Sequence, residues 1–233
     1  MNHAILDLDG TLLPGVLGTQ YLNDLIEDGA CDRDEAMACL RAIDRYAAME
    51  EPRASVMAEA YRCYAAALRG IPYAEAQVTA ARTWKTCRRR LFPFADDLID
   101  LLKAHDYRIH LISGNADMPI QEAVGDLALS WGRGALTEVV DGRFTERLTC
   151  APGLPGGKDS VIRELTASDE FARRRAIAIG NADSDAEIFA HVDMAIAFDP
   201  GAELRALSAR HGWHVVDRDT ILPTCARLLD GRH

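Results

Sequence analysis

The chain has 233 residues, 48% hydrophobic and 27% charged, enough for one large domain or a core with a smaller companion. Its 26 Lys and Arg face 36 Asp and Glu, a formal charge of −10, which weighs against a nucleic-acid backbone binder. There is no run of 18 apolar residues and no CxxC among the six cysteines, so neither a membrane span nor a zinc site or disulfide framework is expected.

The opening MNHAILDLDG enters an apolar run at once and lacks the basic start of a secretory signal, so a mature cytoplasmic protein with free thiols is expected. Residues 4–8 (AILDL) read as a buried strand opening into a loop. From about residue 16 to 90 the chain turns Ala-rich. Leu22, Leu25 and Ile26, more loosely Met37, Leu40, Ala47 and Ala48, then Val56, Ala60, Tyr64 and Ala67 fall at helical spacing, punctuated by Gly29, Pro52 and Gly70–Pro72. After Pro93 the texture alternates. A helix over 96–105 leads to a strand at 108–113 and a helix reaching about Leu129. A hairpin over 136–148 then turns at Asp141-Gly142. A helix near 158–167 and a basic patch precede a strand at 176–180 and a short helix ending at His191. Strand 194–198, another helix and strand 213–216 follow. Such alternation predicts an α/β fold: a doubly wound, Rossmann-like parallel sheet covered on both faces. Residues 1–14 and 93–233 form its core, and residues 15–92 an all-helical insert after the first strand. Ligands in such cores sit at the carboxyl ends of the strands.

Four clusters fall at those ends or at helix starts. Asp7 and Asp9, at i and i+2 in Asp7-Leu8-Asp9-Gly10-Thr11, extend two carboxylates from one side of the first strand. Ser113-Gly114-Asn115 is a small-residue turn whose N–H groups and hydroxyl suit phosphate oxygens. Lys158, after Gly156-Gly157, sets a positive charge at a helix start. Gly180-Asn181-Ala182-Asp183-Ser184-Asp185 gathers oxygen ligands for a hard cation. Singly, each is also an ordinary strand end, turn or surface charge; the four in this order are what carry the signal.

That order resembles the haloacid dehalogenase superfamily, with a type I helical cap, on the phosphoserine phosphatase-like branch. The resemblance implies a Mg²⁺-dependent phosphatase acting on a small phosphorylated metabolite. It makes Asp7 the nucleophile that forms an aspartyl-phosphate, and Asp9 the general acid and then base. Ser113, Asn115 and the backbone around Gly10, Thr11 and Gly114 hold the phosphoryl oxygens, and Lys158 neutralises charge. Asp7, Asp9, Asn181 and Asp185 hold Mg²⁺, which offsets the acids of the site, so an acidic chain can still take an anionic substrate.

Two departures from the family pattern matter. Asn181 stands where an acid is usual, which weakens the metal site; Asp183 is a substitute if the loop shifts, and a binding relic is the non-catalytic alternative. Val16 stands where phosphoserine phosphatases carry the Glu that meets the ammonium. Tyr64, flanked by Arg62 and Arg69, occupies the place of their carboxylate-binding Arg. Phosphoserine is therefore disfavoured, and a sugar, polyol or other small phosphomonoester is expected. A phosphotransferase or phosphomutase is the alternative among enzymes. The basic run Lys85, Arg88, Arg89 and Arg90 reads as a solvated helix end, with a phosphate-guiding rim as its rival. The histidines show no metal spacing, and Trp84, Trp131 and Trp213 read as packing residues.

Overall fold

Strand β1 (Asn2–Leu6) is the axis of the molecule, buried on both faces. In this computed structural model, which describes residues 2–48, 53–167 and 176–231, it pairs in parallel with β2 (Tyr107–Ala116) on one side and β5 (Ala176–Gly180) on the other. Beyond β2 lie β3 (Trp131–Val140) and, antiparallel to it, β4 (Arg143–Cys150); beyond β5 lie β6 (Met194–Phe198) and β7 (His214–Val216). The order β4-β3-β2-β1-β5-β6-β7 reverses at β1, so the carboxyl end of β1 is the topological switch point. Alternation assigns each strand residue a face. Ala4, Leu6, Ile109, Leu111, Ile177 and Ile179 pack under α5 (Ala95–Ala104), α6 (Asp117–Asp126) and α10 (Ile221–Asp230). Ile5, Ile112, Ala176 and Ala178 pack against α7 (Gly157–Thr166), the short α8 (Ala186–Phe189) and α9 (Ala202–His211). The expected α/β, doubly wound architecture is the one observed.

The hairpin turn is as read: Asp141 (φ 49°) and Gly142 (φ 74°) both adopt the left-handed conformation that a two-residue connection demands. Helix α10 was not anticipated. Its Ile221, Cys225 and Leu229 recur every four residues, but Pro223 in the first turn disguises a helix start as a loop. The basic patch expected before residue 176 lies outside the described residues, as does Pro52.

Between β1 and α5 the chain forms α1 (Leu17–Glu27), α2 (Arg33–Ala48), α3 (Arg53–Leu68) and α4 (Tyr73–Cys87). These share a core of their own that also takes in Ala116, Met118 and Phe144 from the sheet side. In α3 the buried face is the predicted one, Val56, Ala60, Tyr64 and Ala67. In α2 it is not: Met37, Ala47 and Ala48 are exposed, and the helix packs through Ala36, Cys39 and Ala42. Leu40, Ile43 and Tyr46, half-buried, complete that face, so the core side of α2 lies one register away from the looser Met37–Ala48 spacing. The α3–α4 turn is bound to the hairpin by three backbone bonds, beside the Arg143 guanidinium, which donates to Gly70 O at 2.6 Å. Gly70 N donates to Phe144 O (2.8 Å), Phe144 N to Ile71 O (3.0 Å) and Tyr73 N to Gly142 O (2.8 Å).

Candidate active site

The four sequence clusters meet at the carboxyl edge of the sheet. Asp7 leaves β1 with its N–H bonded to Ile179 O of β5 at 3.0 Å, fixing it over the switch point. A tight turn follows, in which Gly10 (φ 74°) donates to Leu13 O at 2.7 Å. The turn hands the chain to α1, whose preceding Val16 offers no capping side chain. The cap comes from elsewhere: Asp9 Oδ1 accepts the Leu17 N–H at 3.1 Å, and Asn115 Oδ1 the Gly18 N–H at 2.7 Å. The positive end of α1 is thereby aimed at Asp9.

Ser113–Asn115 are aimed by an irregularity. Along β2 and β3, Ile112 pairs with Arg133 but Ala116 with Ala135, so β2 carries two extra residues and bulges outward. Gly134 permits it, since a Cβ there would lie 2.6 Å from Asn115 O. Ser113 Oγ accepts from Asn115 Nδ2 at 3.2 Å, which directs its own O–H elsewhere.

Lys158 occupies the first turn of α7, whose N–H groups at Gly156 and Asp159 are capped by Glu187 at 2.7 and 3.0 Å. Its side chain is 3% exposed, and Nζ lies 3.0 Å from Asp7 Oδ1 and 2.5 Å from Asp185 Oδ1. Asp185 Oδ2 in turn accepts the N–H groups of Asn181 (3.0 Å) and Ala182 (2.9 Å). Gly180 makes this possible; a Cβ there would lie 2.3 Å from Asp185 Cγ.

Charge is concentrated here. Burial first, then the nearby Asp185 against the opposing pull of Lys158, lifts the Asp7 carboxyl to about 6. Burial and the Asp7 charge lift Asp9 to about 7, against the Leu17 N–H and Asn115. Burial pulls Lys158 down, but Asp185 and Asp7 outweigh it and hold the ammonium firmly charged.

These groups open into a cavity of about 220 Å³. Asp7, Asp9, Ser113, Gly114, Asn115 and Lys158 line it, as expected from sequence. Gly10 and Thr11 do not. The Gly10 N–H is used in its own turn, and Thr11 is fully buried with its hydroxyl donated to Asn181 Oδ1 at 3.2 Å, so neither faces a phosphoryl group. Asn181 packs its amide on Gly10, whose Cβ would lie 2.1 Å from Asn181 Nδ2. Asp183 cannot stand in for it, because Asp183 Oδ1 accepts the Leu204 N–H and caps α9 at 3.1 Å. Tyr64 lines the cavity, but Arg62 and Arg69 are exposed, Arg69 beside Glu146. Lys85, Arg88, Arg89 and Arg90 line no part of it; Arg88 pairs with Asp96 and Asp126. One contributor was missed. Tyr61 of α3 donates to Gly114 O (2.7 Å) and accepts from Gly153 N (2.8 Å), joining cap and core beside Ser113. Its position next to the Ala60–Tyr64 stripe reads only as packing.

A family model described as haloacid dehalogenase-like hydrolase matches residues 4–190. The chain belongs to that family. The phosphoserine phosphatase of Streptomyces coelicolor is 28% identical to this haloacid dehalogenase-like chain over 133 residues, 57% of it and 32% of the relative. The chain spans about a third of the length of the curated relatives it matches. A solved Bordetella pertussis protein of unknown function superposes with a TM-score of 0.76 at 22% identity, covering 93% of this chain and 98% of that one. A phospho-aspartyl intermediate analogue of phosphoserine phosphatase superposes at 0.63 with 14% identity, covering 93% of each. The chain thus shares the fold of these structures, with helices inserted after its first strand. Among the described residues no helix is long and apolar enough to cross a membrane.

The donors fit a hard divalent cation in part. Asp7 and Asp9 face the cavity with raised carboxyls, a negative charge that such an ion relieves. Asn181 Oδ1 adds a neutral oxygen, whereas both Asp185 oxygens already meet Lys158 and two N–H groups. Among the described residues no group of three or more His, Cys, Asp or Glu surrounds one point.

Proposed function

We propose that the chain is a Mg²⁺-dependent phosphatase, hydrolysing a small phosphomonoester through an aspartyl-phosphate. The observation that carries this is the buried Asp7–Lys158–Asp185 chain beside an Asp9 raised to about 7. Lys158 holds Asp7 in place, and Asp185 holds Lys158. An Asp7 oxygen attacks phosphorus; the ester P–O bond breaks, and Asp9, protonated, gives its proton to the departing alkoxide. Asp9, now a carboxylate, takes a proton from the water that attacks phosphorus and releases inorganic phosphate, restoring Asp7. Ser113, Gly114 and Lys158 bind the phosphoryl oxygens, and Asn115 orients Ser113. Asp7, the backbone carbonyl of Asp9 and Asn181 would hold Mg²⁺, with Asp185 supporting Asp7 through Lys158; the ion would supply charge neutralisation on the phosphoryl group.

In this reading residues 1–14 and 93–233 are the catalytic core, and residues 15–92 the cap that encloses a small metabolite. The four buried thiols suit a reducing cytoplasm. The test is phosphate release from p-nitrophenyl phosphate with Mg²⁺, beside the Asp7→Asn variant. Asp7-dependent turnover, with a mass increment of one phosphoryl group on Asp7 after acid quench, is expected. Turnover that survives Asp7→Asn would overturn the proposal. The departure at Asn181 favours one rival, a binding relic, which turns over no phosphomonoester.

A further inference from the structure

The two ends of the cavity differ in chemistry. At the core end stand Asp7, Asp9 and Lys158. At the cap end the wall is made by Leu22, Cys39, Ile43, Tyr46, Met57 and Tyr64. Among the described residues no charged side chain of the cap lines it, and Lys158 is the lone cation on the wall. The basic groups nearest in sequence are turned away, Arg62 into solvent and Arg69 to Glu146. The polar atoms of this wall are few: the hydroxyls of Tyr46 and Tyr64 and the Cys39 thiol. The Tyr61 hydroxyl is already used twice, by Gly114 O and Gly153 N. The Cys39 thiol is pushed up to about 12 by burial and stays neutral. Val16, 44% exposed, contributes a further apolar patch.

An ammonium or carboxylate placed here would meet no opposite charge among the described cap residues, and a row of hydroxyls would find only two tyrosine hydroxyls, a cost that disfavours each of them. An apolar group loses nothing and gains burial. Aromatic rings with a thioether beside them favour a flat or compact hydrocarbon. The volume, about 220 Å³, lies below the usual 300–1,000 Å³ of ligand sites, so the group is small.

Resting on the phosphatase reading above, we propose that the substrate is the phosphate monoester of a small apolar alcohol, aromatic or branched-alkyl, and not of an amino acid, sugar or polyol. Hydrolysis then returns that alcohol, with the proton received from Asp9, and inorganic phosphate.

The test uses the full chain with Mg²⁺ and four monoesters of primary alcohols, which keeps leaving-group chemistry comparable: 2-phenylethyl phosphate, isopentyl phosphate, phosphoserine and glycerol 3-phosphate. Either apolar ester should exceed both polar ones by about tenfold or more in kcat/KM, chiefly through KM. The ratio of the phenyl to the isopentyl ester ranks ring against branched chain. Val16→Glu, at a half-exposed site, should cut both apolar esters about tenfold with the circular dichroism spectrum unchanged. Equal or better use of phosphoserine or glycerol 3-phosphate would overturn this inference and leave the phosphatase reading standing. Absence of Asp7-dependent turnover on any ester, p-nitrophenyl phosphate included, would overturn both.

Discussion

The core and cap halves of the cavity are held by different physics. On the core half nearly every polar atom has an assigned partner. Lys158 is shared by two carboxylates, Asp185 by Lys158 and two N–H groups, and Gly180 and Gly134 are glycines because a Cβ would collide with the arrangement. The cap half is apolar side chains on small-residue helices, joined to the core at the strap, at the start of α1 and at Tyr61. One half is determined by hydrogen-bond geometry and tolerates almost no substitution; the other is determined by volume and tolerates many. Chemistry and specificity are thus separated in kind as well as in place.

That contrast can be broken hardest at Asp7. Asp7→Asn should abolish turnover, about 10⁴-fold or more, with the circular dichroism spectrum unchanged. Next comes Lys158→Met, which leaves Asp7 and Asp185 buried without their cation. A loss of about 3–5 kcal/mol in urea unfolding and a fall in kcat of about 10²-fold or more are expected; a variant as stable as the parent would mean that the ion chain does not organise the core half. Tyr61→Phe removes the joint between the halves. The bonds to Gly114 and Gly153 are lost, with about 1–3 kcal/mol of stability and an increase in KM larger than the fall in kcat. Asn181→Asp restores a charge and should lower the Mg²⁺ concentration for half-maximal activity about tenfold, read by titration.

One effect lies away from the cavity, in the His3–His110 pair between β1 and β2, 3.0 Å apart. Burial, then His3 and Arg108, pushes His110 down to about 4, whereas in the unfolded chain it titrates near 6.5. Between those values the unfolded chain holds the additional proton, so stability falls as pH drops from about 6.5 to about 4, by up to about 3 kcal/mol. In His110→Gln that part of the pH slope should vanish, as urea midpoints at pH 7 and 5 will reveal.

Periodicity carried the core strands, because a strand buried on both faces between helices leaves an uninterrupted apolar run such as AIAIG at 176–180. It failed where the apolar spacing is loose, as in α2, and where proline masks a helix start, as at Pro223. The candidate site was legible where chemistry demands a residue type: Asp7, Asp9, Ser113 and Lys158 all face one cavity. It was not legible where position depends on a distant partner. Thr11 turns to Asn181, Asp183 to α9, Asp185 to Lys158, and Tyr61 reaches two core loops from a cap helix. Each of those choices is made between residues far apart in the chain, which no local pattern records.

The backbone strap between the α3–α4 turn and the hairpin has a consequence for how such a protein can change. Its three bonds run between main-chain groups of residues 70–73 and 142–144, so side-chain replacements leave them in place. The cap stays moored while the residues of α2 and α3 that face the cavity are rewritten. On the proposed reading the molecule can therefore exchange one leaving group for another by a few substitutions, without refounding the contact between its two halves. Ile43, Met57 and Tyr64 are the positions at which a laboratory selection for new substrates should find its first answers.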